Sequence, residues 1–89
     1  MNRLPRNFGI TVRQWREAHG WSQESLAEKA DLNRSYVGEI ERGKAIASLL
    51  TLEKLARALG TTPSNLLAHC EQVRALQGGP SRPLLPIAC

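Results

Sequence analysis

With 89 residues, the chain has room for one small domain and one modest core. Apolar residues make up 42% and aromatics only 4%, so Ala and Leu dominate, which suits packed helices better than sheets and needs no disulfide scaffold. Lys and Arg number 12 against 8 Asp and Glu; the net charge of +4 favours an anionic partner, and no apolar run nears the ~20 residues that span a bilayer.

The charge is unevenly spread. Residues 1–16 carry Arg3, Arg6, Arg13 and Arg16 and no acid, whereas most acids fall between Glu17 and Glu53. The N-terminal stretch lacks the apolar segment of a secretory signal, so the expected location is cytoplasmic and nucleoid-associated. Residues 1–7 read as a flexible basic arm, either free in solvent or reaching an adjacent groove of a nucleic acid.

The first helix is predicted from Asn7 to about His19. Asn7 can cap it, Phe8, Val12 and Trp15 fall at i, i+4 and i+7, and Gly20 supplies a left-handed stop. Gly9 weakens its first turn. Ser22 caps a second helix, Gln23 to about Ala30, with Leu26, Ala27 and Ala30 on its inner face. Ser25 stands where a full capping box needs Glu or Gln. After the short break Asp31-Leu32, Asn33 caps a third helix running to about Arg42. Its inward residues are Val37 and Ile40, braced by Tyr36, and Gly43 ends it.

Residues 44–47 form a loop. Ser48 caps a fourth helix containing Leu49, Leu52, Leu55, Ala56 and Leu59, with Gly60 as its stop. Thr62-Pro63 opens a fifth helix, a cap followed by proline at the first helical position. Leu66, Cys70, Val73 and Leu76 continue at helical spacing to about Gln77. Gly78-Gly79-Pro80 breaks the pattern, and 78–89, with Pro83 and Pro86, reads as a flexible tail. The expected fold is all-α, a compact five-helix domain over 8–77.

Two short helices joined by a few residues, from Ser22 to Arg42, make a helix-turn-helix. Ala27 is small where the helices approach, Leu32 plugs the turn, and Val37 anchors the second helix on the first. Phased against Val37 and Ile40, the outward residues are Arg34, Ser35, Gly38 and Glu39, the candidates for reading bases. The first turn of such a helix meets base edges in the major groove. Arg34 can donate two hydrogen bonds to guanine O6 and N7, and Glu39 can accept from cytosine N4. Gly38 is either a tolerated surface glycine or a bare stretch of backbone that lets the helix sit deep in the groove.

The blocks Val12-Arg-Gln-Trp-Arg, Gly20-Trp-Ser-Gln-Glu-Ser-Leu-Ala, Leu32-Asn-Arg-Ser-Tyr-Val-Gly-Glu-Ile-Glu-Arg-Gly-Lys and Leu52-Glu-Lys-Leu-Ala-Arg-Ala-Leu-Gly agree in order and spacing with one family. Over residues 8–68 the chain resembles the Xre/Cro family, the lambda-repressor-like fold of phage repressors and restriction–modification controller proteins. The resemblance implies double-stranded DNA as partner, bound at an operator and usually as a homodimer. It also implies that Gln23 grips a phosphate and supports Arg34, and that Ser22, Asn33, Tyr36, Arg42 and Lys44 meet the DNA backbone. Such contacts set register without reading sequence. Arg16 and Glu41 match a buried ion pair of some members, expected to hold helix one to helix three. The chain departs from the family in its loop, Ala45-Ile46-Ala47, where a proline and basic residues are usual, and at Leu50, a site often polar.

Other signals are bland. Trp15 and Trp21 read as core packing. His19, His69, Cys70 and Cys89 do not form a zinc pattern, and adjacent His69 and Cys70 point about 100° apart on a helix. No catalytic constellation, cofactor motif, metal site or small-molecule effector pocket is evident, so no enzyme is expected. The stripe Leu66, Cys70, Val73 and Leu76 either packs on its own core or forms the seam of a dimer. A two-fold dimer would set two recognition helices about 34 Å apart on a palindromic operator. The expected function is a sequence-specific DNA-binding transcriptional regulator, a repressor or autoregulator. The alternative is a protein-interaction adaptor on the same scaffold, favoured by Ile46, Leu50 and the Leu84-Leu85-Pro86-Ile87 segment.

Overall fold

The computed structural model describes residues 4–78, with side-chain surroundings through residue 72. Five helices follow one another: α1 (Leu4–Ala18), α2 (Gln23–Ala30), α3 (Arg34–Glu41), α4 (Leu49–Ala58) and α5 (Pro63–Gly78). The all-α, five-helix expectation holds.

Local chemistry sets most of the boundaries. Ser22 Oγ accepts the Ser25 N–H at 3.0 Å, Asn33 Oδ1 the Ser35 N–H at 2.8 Å, and Ser48 Oγ the Thr51 N–H at 3.0 Å. Thr62 Oγ1 does the same for the Asn65 N–H at 3.1 Å. Each bond satisfies a donor that the first helical turn leaves over, worth about 1 kcal/mol. Between α2 and α3 the chain reverses through Asp31, whose φ of 58° is left-handed, and the Leu32 N–H bonds the Ala27 carbonyl at 2.8 Å. Asp suffers less than most side chains in that conformation.

α1 starts three residues earlier than expected. Pro5 sits in its first turn, where a missing N–H costs nothing. Asn7 is therefore no cap. It lies buried inside the helix, one turn before buried Thr11. Residues 4–7 of the anticipated arm, Arg6 included, are helical, and Arg3 lies outside the described residues.

The core joins Phe8 and Val12 of α1, Leu26, Ala27 and Ala30 of α2, Val37 and Ile40 of α3, and Leu52, Leu55, Ala56 and Leu59 of α4 and its cap. Leu66 and Cys70 of α5 complete it, both fully buried. This corrects half of the proposed dimer seam. α5 packs along α1, with the Trp15 ring edge-on to His69 at 5.7 Å, and that contact covers Leu66 and Cys70 within one chain. Val73 and Leu76 lie outside the residues whose side chains are described. Trp21 packs on the core edge, stacked on His19 at 4.3 Å with Lys29 Nζ 4.9 Å from its ring centroid. Leu49, at the start of α4, is 84% exposed.

A close backbone approach joins α1 to the end of α3. A Cβ on Gly9 would collide with the backbone carbonyl oxygens of Ile40 and Glu41. The propensity cost of this glycine is the condition for α1 to lie directly on α3.

Candidate nucleic-acid interface

α3 is held from behind. Val37 and Ile40 are fully buried against the core, which fixes the rotation of the helix about its axis. Arg34 and Ser35, in the first turn, are exposed. Among the described residues, Arg34 makes no hydrogen bond or ion pair, so its guanidinium is available to a ligand. Glu39 is half-exposed and accepts from Arg42 Nη2 at 3.2 Å. A base edge offered to Glu39 or a phosphate offered to Arg42 would have to replace that surface bond, worth well under 1 kcal/mol.

Gly38 does not face outward. It is buried beneath two side chains; a Cβ there would meet the Arg42 guanidinium at 3.3 Å and Gln23 Oε1 at 3.5 Å. One step past Val37, the helix turns this position towards α2, and Arg42, one turn on, folds back over it. The missing side chain leaves room for the ends of the Gln23 and Arg42 side chains.

Arg16 and Glu41 meet where α1 crosses the end of α3. Arg16 Nε lies 2.7 Å from Glu41 Oε2 and Nη2 lies 3.1 Å from Oε1, a two-pronged pair whose side chains are 12% and 3% exposed. Arg16 Nη1 also donates to the Trp21 carbonyl at 2.8 Å, and Gln23 Nε2 donates to Glu41 Oε1 at 3.0 Å. The carboxylate thus accepts three hydrogen bonds. The Arg16 pKa is raised, mainly by its hydrogen bond to Glu41, with burial opposing, so the guanidinium is held in its charged form. Through Gln23, this network ends at the first turn of α2, beside Gly38 and Arg42.

The expected backbone-contact residues fall into two groups. Arg42 and Lys44 are exposed cations past the end of α3, and the Lys44 N–H is fixed to the Glu39 carbonyl at 2.8 Å. Ser22 and Asn33 spend their side-chain oxygens on caps. The Tyr36 hydroxyl shares a 3.2 Å hydrogen bond with Thr51 Oγ1 and lies 3.4 Å from the Ile46 carbonyl. It ties α3 to the loop and to α4. The sequence reading passed over Thr51, which is buried and also receives a hydrogen bond from Ser48 Oγ at 3.0 Å. The spacing Ser48-x-x-Thr51, a capping-box pattern with hydroxyls, was the available signal. No cluster able to hold a metal occurs among the described residues, and none of their helices is long and apolar enough to cross a membrane.

Residues 12–66 match the helix-turn-helix family. Control protein C.BamHI of Bacillus amyloliquefaciens is 45% identical over 71 residues, covering 73% of this chain and 88% of that protein. The crystal structure of the restriction–modification controller protein C.AhdI from Aeromonas hydrophila is 47% identical, with a TM-score of 0.68 over 70% of this chain and 94% of that one. SinR, a master regulator for biofilm formation solved in complex with DNA, is 36% identical, with a TM-score of 0.64 over 67% and 97% of the two chains. With the match spanning the core, the turn and the exposed α3 face, the chain belongs to the Xre/Cro-like helix-turn-helix family of DNA-binding transcriptional regulators.

Proposed function

We propose that this regulator is of the controller type and binds a palindromic operator as a homodimer, acting from the cytoplasm as a repressor or autoregulator. Arg34 and Ser35 read bases in the major groove and Glu39 excludes mismatched ones. Arg42 and Lys44 neutralise phosphates. Ser22, Asn33 and Tyr36 act there chiefly by holding backbone and loop in place. The observation that carries this reading is the pairing of an exposed, unengaged Arg34 with a fully buried Val37 and Ile40 on the opposite face of one helix. That arrangement aims a bidentate donor outward at fixed register, and each such contact discriminates by roughly 1–3 kcal/mol. Similarity to two control proteins supports the controller assignment.

For the dimer, the apolar side chains left outside the core count most. Leu49 is 84% exposed and Leu50 60%, adjacent at the start of α4 and close in sequence to Lys44. A two-fold contact there would bury both pairs, and a dimer on a palindromic operator needs its recognition helices one DNA turn apart, about 34 Å. The same leucines favour the second reading, an adaptor that docks another protein. Selection of bound duplexes from a random pool separates the two. The regulator reading expects enriched inverted half-sites about 10 base pairs apart and affinity that falls steeply with salt. An unenriched pool at low salt would sink it.

A further inference from the structure

A second apolar feature does not include Leu49 or Leu50. A groove runs between the first turns of α1, the 45–47 loop and α5. Its walls are apolar throughout, with Leu4, Phe8, Ile46, Leu52 and Leu67 the large side chains that form it. Three of them remain substantially open to solvent, Ile46 at 76%, Leu4 at 51% and Leu67 at 40%. Nothing in the proposed DNA contacts uses it.

We infer that this groove is the docking site of the chain's own segment Leu84-Leu85-Pro86-Ile87. Reach is the first argument. Leu67 belongs to α5, the helix that leads into this segment, and lies 11 residues before Gly78, about 16 Å at 1.5 Å per residue. The six steps from Gly78 to Leu84 span about 19 Å at the rise of an extended, proline-rich chain. Doubling back at Gly78-Gly79 would bring Leu84 level with Leu67, at the groove that Leu67 shares with Leu4 and Phe8. Sequence chemistry is the second argument. Pro80, Pro83 and Pro86 recur every third residue, the period of a polyproline II helix. In that conformation Leu84 and Ile87 would share another edge, about 9 Å apart. Preorganised segments of this kind lose little entropy on entering apolar, aromatic-lined grooves, and Phe8 supplies the aromatic wall. A concave channel between a helix and a loop suits such a narrow strand, whereas the protruding Leu49 and Leu50 suit the face of a second copy.

The test uses the full chain with labelled methyl groups, compared with Leu84→Asp and Ile87→Asp variants by nuclear magnetic resonance. Docking predicts that both substitutions shift the methyl signals of Leu4, Ile46 and Leu67, leave those of Val37 and Leu55 in place, and do so equally at low and high protein concentration. Unmoved groove methyls would overturn the inference. Mixing labelled variant with unlabelled unmodified chain distinguishes the source. If the signals return, the occupant is a segment of a second copy and the intramolecular assignment is wrong; if they stay shifted, it stands. Duplex binding is read separately, so neither outcome touches the operator assignment.

Discussion

The two ends of α3 are built to opposite rules. At the C-terminal end Glu41 accepts three hydrogen bonds, Gly9 brings α1 onto the Ile40 and Glu41 carbonyls, and the Lys44 N–H closes on Glu39. At the N-terminal end, Asn33 caps the backbone and the side chains of Arg34 and Ser35 are left to solvent. One end is saturated with internal partners, and the other is short of them. A helix that must present a few donors to DNA at fixed register needs both. The closed end carries the positional information, and the open end retains unspent hydrogen-bonding capacity.

If that division is right, damage to the closed end should be read out as stability. The largest effect is expected at the ion pair. Arg16→Met or Glu41→Gln leaves a buried partner uncompensated, and a loss of about 3–5 kcal/mol is expected from the midpoint of denaturant unfolding. An unmoved midpoint would show that the pair does not hold α1 to α3. Next comes Gly9→Ala. Elsewhere in an exposed helix this change is stabilising. Here the new methyl meets backbone carbonyls that cannot swing aside, so a loss of about 1–3 kcal/mol is expected. A gain in melting temperature would mean that α1 and α3 can separate freely.

What the sequence disclosed follows the same line between local and non-local. The caps at Ser22, Asn33 and Ser48 are legible because each needs only its own next three residues. The core faces of α2 and α3 follow from spacing alone. Asn7 misled because a polar residue near a helix start looks the same whether it caps or turns inward; Pro5, two residues earlier, was the better marker of the boundary. Helical spacing also showed that Leu66 and Cys70 share a face, but not which surface covers it. Gly9 and Gly38 were opaque for a related reason. Their purpose lies in atoms of another segment or of a side chain one turn away, and a propensity scale registers only their cost. Arg34 and Ser35, by contrast, could be placed outward once Val37 and Ile40 were placed inward.

The open end should fail differently. Arg34→Ala is expected to leave unfolding unchanged and to remove roughly 1–3 kcal/mol of discrimination at a single base position per half-site. Lys44→Ala should weaken all duplexes alike and flatten the dependence of log affinity on log salt by about one unit. Binding measured across a set of single-base operator variants at two salt concentrations checks both. A uniform loss for both variants would erase the distinction between base reader and phosphate contact. A lower melting temperature for Arg34→Ala would show that the open end has internal partners after all.

The smallest effect concerns an imperfection on the closed side. Thr11 is fully buried on α1, and its Oγ1 has no hydrogen-bond partner among the described residues; Asn7 Nδ2, one turn earlier, shares that condition. A buried polar atom left unpaired costs about 1–3 kcal/mol. Thr11→Val keeps the β-branched shape and exchanges the hydroxyl for a methyl, so the dense packing around α1 is undisturbed. It is expected to raise stability by about 1 kcal/mol, read as a higher melting temperature, with duplex affinity unchanged because Thr11 lies behind α3 and not on its outer face. Destabilisation by a similar amount would mean that the hydroxyl is bonded in solution and that the closed side is more fully paired than its geometry indicates. A gain would show that the stability of this side rests on the Glu41 network and the Gly9 contact, and that the buried pair Asn7 and Thr11 adds nothing to it.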